Sequence, residues 1–115
     1  NERTGGLPLP LGGNVVRKDL GEQLCEKITA WVKQSIELAI SQPDEALEFA
    51  CKWGRGIDQE TNSRFVKMYV NDRTIDYQED GRESIRRFLI EGQNIGMVDS
   101  EFEVNGVSFI GANEV

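Results

Sequence analysis

Two stretches of the 115-residue sequence hold residues whose types and spacing could do chemistry. In Leu9-Pro10-Leu11-Gly12, two leucines and a proline stand beside a glycine. Proline fixes φ and biases the residue before it toward extended backbone, and glycine allows a close backbone approach. Such a stretch offers a rigid apolar wall and bare backbone N–H groups at the mouth of a cleft, enough to hold a flat ring and a carboxylate. It serves equally as a buried structural crossing. The second stretch is the polar run Asn71-Asp72-Arg73-Thr74-Ile75-Asp76-Tyr77, in which Asn71 and Thr74 could hydrogen-bond a ligand. Turn formation by Asn71 and the geometry of a helix exit account for that pair as well.

Other chemistries lack their parts. Asp44 with Glu45, Asp58 with Glu60, and Asp80 with Glu83 sit at expected helix starts, where capping explains acids without acid/base catalysis. The sequence contains no histidine to activate a nucleophile and no serine in a GxSxG setting. Gly5-Gly6 and Gly12-Gly13 lack the strand–turn–helix context and the Lys-Ser/Thr of phosphate-binding loops. Cys25 and Cys51 fall in helical patterns without CxxC spacing, so they read as free thiols, with a disulfide between the first two helices as the alternative. A zinc site would have too few soft ligands. Arg82, Arg86 and Arg87 read as a solvated helix face. Thirteen basic against twenty acidic residues leave a net charge of −7, which argues against nucleic acid as a partner. No apolar run approaches the ~20 residues of a membrane span, and no signal-peptide pattern is present.

The elements that must position these stretches are set by periodicity. Residues 1 to 6 carry no pattern. Val15 and Val16 centre a short strand over 13–18, and Asp19 can cap the helix after it. Leu20, Leu24, Ile28, Val32, Ile36 and Ile40 recur every four residues and predict a helix over 19–41. Pro43 starts a second helix, 43–54, closed by Gly54 and Gly56. Asp58 caps a third, 59–71. Asp80 and Glu83 outline a capping box for a fourth, 81–95, with Gly96 placed to end it. In the tail, 97–115, Phe102, Val104, Val107, Phe109 and Val115 around Asn105-Gly106 invite a hairpin, marginal unless it leans on a sheet or helix.

Three blocks in order, LPLPLGGNVVRKDL (Leu7 to Leu20), RFVKMYVNDRTIDY (Arg64 to Tyr77) and DGRESIRRFL (Asp80 to Leu89), resemble the 1,4-dihydroxy-6-naphthoate synthase family of the futalosine route to menaquinone. The resemblance runs from Gly6 to about Gly96, and the LPLPLG block separates it from the sister chorismate dehydratases. It implies an α/β fold: the C-terminal part of a two-lobed molecule like type II periplasmic binding proteins, this segment mostly helical with few strands. Residues 1–18 would be the lead-in and inter-lobe crossing, 19–96 the helical part of one lobe, and 97–115 the tail. The family's chains are more than twice this length, so an N-terminal half is expected elsewhere.

The implied reaction is carbon–carbon cleavage of cyclic dehypoxanthine futalosine, releasing 1,4-dihydroxy-6-naphthoate in the cytoplasm. It uses no metal or nucleotide cofactor and relies on a histidine base. This sequence has none, so the base lies upstream or this copy does not catalyse; alone, the chain is expected to be inactive. The implied partners are a small aromatic carboxylate substrate and either the missing half or a second copy. Two other readings remain open: a non-catalytic small-carboxylate-binding protein of the same fold, and a helical interaction module.

Overall fold

A computed structural model describes residues 4–54, 56 and 58–111. Five helices order them: α1 Glu22–Ser41, α2 Pro43–Cys51, α3 Gln59–Tyr69, α4 Asp72–Ile75 and α5 Gln78–Asn94. Short 3₁₀ turns occupy Lys18–Leu20 and Val104–Gly106. The chain divides into two compact units, Leu20–Asp76 and, around it in sequence, Asn1–Asp19 with Tyr77–Val115.

In the unit Leu20–Asp76, α1 packs on α2 and α4, and α2 packs on α3. Among its described residues, Cys25 of α1 and Asn62 of α3 are buried. Cys51 is a free thiol whose Sγ accepts a hydrogen bond from Asn62 Nδ2 at 3.1 Å, so the alternative of a disulfide to Cys25 is not realised. Pro43 opens α2 as expected. Its last turn loosens at Cys51, and the N–H groups of Trp53 and Gly54 both reach the Ala50 carbonyl at 3.0 Å. Asp58 caps α3: Oδ1 accepts from Thr61 N at 2.9 Å and Oδ2 from the Thr61 hydroxyl at 2.7 Å. These bonds hold the Asp58 carboxyl below its ordinary value, the Thr61 backbone N–H contributing most.

In the other unit, α5 ends in a Schellman motif. Ile95 is the cap, Gly96 adopts φ +74°, and the N–H groups of Gly96 and Met97 bond the carbonyls of Gln93 (3.0 Å) and Gly92 (2.8 Å). The turn sends the tail back along the helix, where Val104 is buried against α5.

Four expectations are corrected. No strand forms among the described residues; at 13–18 Val15 is 98% exposed, because a lone β-branched pair has no neighbouring strand to pair with. The fold is mostly helical, and "few strands" becomes none within that range. The tail forms a 3₁₀ turn at Val104–Gly106 in place of a hairpin, since apolar packing on α5 supplies what a second strand would have; residues 112–115 lie outside the described residues. Asp19 does not cap α1: its carboxylate pairs with Arg17, and Gly21 takes the cap position without a side-chain bond. Finally, α5 begins at Gln78, so Asp80 lies inside the first turn, where its Oδ1 accepts from Gly81 N at 2.9 Å.

Stability should respond at two positions. A Cβ at Gly92 would stand 2.8 Å from Val98 Cγ2, and valine is stiff at χ1. Gly92→Ala, which in an open helix gains about 0.8–1 kcal/mol, is expected here to cost about 1–2 kcal/mol in urea unfolding, with Val98→Ala restoring the gain. The cap at Asp58 contributes stability that is full above the ordinary carboxylate value and lost as pH falls through its depressed folded value. Asp58→Asn keeps a capping side chain and should flatten that part of the acid limb of a Tm–pH curve, whereas Asp58→Ala should lower Tm at neutral pH.

Candidate functional site

Residues 4–13 run antiparallel along α5, with Thr4 beside Arg87, Pro8 beside Ser84 and Gly13 beside Tyr77. Arg87 Nη1 donates to the Thr4 carbonyl at 3.5 Å, the Ser84 hydroxyl donates to the Pro8 carbonyl, and a Cβ at Gly13 would lie 3.2 Å from Tyr77 Oη. The approach is close because α5 presents small residues one turn apart. Gly81 and Ser84 are both buried.

With Pro8 tied down, Leu9 and Leu11 are left 71% and 53% exposed, Pro10 between them is half-buried, and Gly12 is exposed with nothing within 4 Å of a would-be Cβ. The N–H groups of Leu11 and Gly12 have no partner among the described residues. The stretch is therefore an apolar ledge with bare backbone donors, pinned from beneath by a buried serine. It is not a buried crossing within this unit.

The tail flanks the same helix. Gln93 Nε2 donates to the carbonyls of Asp99 (2.9 Å) and Phe102 (2.7 Å), and Phe109 meets Tyr77 edge-on with centroids 6.1 Å apart. The Arg86 guanidinium lies 5.2 Å from the Phe109 ring centroid, a cation–π contact. Lys18 Nζ reaches the Gly106 carbonyl at 2.6 Å and ties the two segments together. The three arginines of α5 are thus not a solvated face. Arg82 pairs with Glu79, Arg86 stacks, and Arg87 holds Thr4.

Asn71 and Thr74 belong to the other unit. They form a reciprocal capping box for α4: Asn71 Oδ1 accepts from Arg73 N, and Thr74 Oγ1 accepts from Asn71 N, each at 3.0 Å. The Thr74 hydroxyl donates onward to the Tyr69 carbonyl at 3.2 Å. Among the described residues no group of histidine, cysteine or acidic side chains could hold a metal, and no buried side-chain nitrogen or oxygen lacks a partner. No described helix is long and apolar enough to cross a membrane. Sequence reasoning missed Ser84 and Arg86. The signal for Ser84 was the small pair Gly81 and Ser84 at helical spacing, while the Arg86 contact depends on a tail fold that no local pattern announced.

Ser84→Ala removes the tie to Pro8 and is expected to cost about 1 kcal/mol in denaturant unfolding. Limited proteolysis near Leu9–Leu11 should accelerate in the variant, since the ledge then loses its anchor.

The family described as menaquinone biosynthesis matches residues 1–93. Among relatives, a 1,4-dihydroxy-6-naphthoate synthase of Thermus thermophilus is 35% identical over 96 residues, covering 84% of this chain and 35% of that protein. A protein of the same description from Streptomyces coelicolor is 30% identical over 97 residues, covering 84% of this chain and 34% of its own. No solved structure gives a significant match. The chain spans about a third of the length of the relatives it matches. By the extent of that match, this chain belongs to the menaquinone biosynthesis family in which these 1,4-dihydroxy-6-naphthoate synthases stand.

Proposed function

We propose that the chain is part of a lyase of the futalosine route, cleaving cyclic dehypoxanthine futalosine to release 1,4-dihydroxy-6-naphthoate in the cytoplasm. Support comes from similarity to two proteins described as 1,4-dihydroxy-6-naphthoate synthases and from the LPLPLG ledge, which is exposed and apolar as a wall for a flat ring must be. In this reading the whole molecule is two-lobed, in the manner of type II periplasmic binding proteins. Residues 7–18 are the return crossing between its lobes.

Leu9, Pro10 and Leu11 form one side of the cleft. The bare N–H groups of Leu11 and Gly12 receive the substrate carboxylate. Asn71 and Thr74, in the other unit, are separate candidates for ligand contact, with the bonding capacity left after capping α4. The sequence has no histidine, so a histidine base comes from the part of the protein that this chain does not span.

The test is an assay of the family-length protein carrying this chain, following release of the naphthoate. Gly12 has no heavy atom near a would-be Cβ, and Leu11 is half exposed, so Gly12→Val and Leu11→Asp should leave the Tm nearly unchanged. Each is expected to raise KM roughly tenfold or more, the size of losing one buried leucine contact. Absence of naphthoate release by the unmodified protein would sink the reading. Unchanged KM in both variants would remove the ledge from the site.

A further inference from the structure

Helix α1 carries apolar surface that the chain leaves uncovered. Its inward side holds buried Cys25 with half-buried Ile28 and Ile36. Away from these, Leu24, Trp31 and Leu38 are 40%, 62% and 57% exposed. Residues seven apart return to within about 20° of one another on a helix, so the three make a single stripe about 21 Å long. The stripe reads alike in both directions, with a leucine seven residues before the tryptophan and another seven after. A surface of that symmetry is complementary to itself under a two-fold axis.

The flanking charges select the orientation. Lys27 and Glu37 lie on the same side of the stripe, both exposed, and neither belongs to an ion pair among the described residues. In an antiparallel pair centred on Trp31, Glu37 of one copy is level with residue 25 of the other. That is two residues, about 3 Å along the axis, from the second copy's Lys27. Like flanks meet in such a pair, so the contact forms twice. In a parallel pair unlike flanks meet, so the two copies' Lys27 and Glu37 would stand on opposite sides of the contact and no such pairing would form. No carboxylate interrupts the stripe itself.

We infer that α1 is a self-association face: two copies of this chain pair antiparallel, Trp31 on Trp31 and Leu24 on Leu38, with reciprocal Lys27–Glu37 contacts at the rim. This does not rest on the lyase reading. Three side chains per copy make a small interface, so the pair is concentration-dependent.

Sedimentation equilibrium across a dilution series should show the mass rising from monomer toward dimer. Trp31→Ala and Leu38→Ala should each weaken association by roughly tenfold, as anchors at an interface centre do. Their circular dichroism should stay unchanged, because both residues are exposed in the monomer. Lys27→Glu should weaken it by a few-fold, and adding Glu37→Lys should restore it, a rescue that loss of folding cannot mimic. A chain that stays monomeric throughout the series overturns the inference, whatever else the stripe binds. So does an assembly indifferent to Trp31→Ala, or a double charge swap no tighter than the single one.

Discussion

Two segments without regular structure must be held by something other than a backbone ladder, and around α5 side-chain donors hold them. Ser84 reaches the carbonyl of Pro8, Lys18 that of Gly106, and Gln93 those of Asp99 and Phe102. A carbonyl in a segment with neither helix nor sheet otherwise turns to water, so each such bond fixes where the chain can run. Apolar enclosure alone would not fix it: no side chain among the described residues is completely buried. The ledge at Leu9–Gly12 is a product of this anchoring. One face of the segment is spent on α5, and the leucines of the other face are left outward.

Local patterns carried most of the helices. The four-residue repeat of α1, Pro43 at the start of α2, Asp58 before α3 and Gly96 after α5 each act within a turn or two of their own position, so their effect is visible in neighbouring residues. The strand at 13–18 and the hairpin at Asn105-Gly106 failed for one shared reason. A strand is completed by a partner, and sequence alternation cannot say whether the partner is there. The polar run at 71–77 also held more order than its composition suggested, because Asn71 and Thr74 satisfy each other across one turn. The exposure of Leu9 and Leu11 depended on Ser84, 75 residues beyond Leu9, and no local reading contains that.

Membership of the menaquinone biosynthesis family and the sparse enclosure of apolar side chains bear on the same question. The chain corresponds to about a third of its relatives' length. Apolar groups such as Trp31, Leu38 and Phe49 remain open to solvent. Exposed apolar surface in contiguous stripes marks contact with further polypeptide, whether in the same chain or another. The helices are well formed while the core is thin, a division expected wherever caps and propensity act locally but burial needs more chain.

One unit is continuous in sequence, Leu20–Asp76, and the other is assembled from the segments on either side of it. That nesting imposes an order on biosynthesis. The continuous unit has all its residues once Asp76 leaves the ribosome, whereas residues 4–13 must wait for α5 before they have a surface to lie on. Until then the Pro-rich segment is an unattached apolar stretch, open to chaperones and proteases. Synthesis of roughly seventy residues separates the ledge from its anchor, so the speed of translation between the two sets how long that vulnerability lasts.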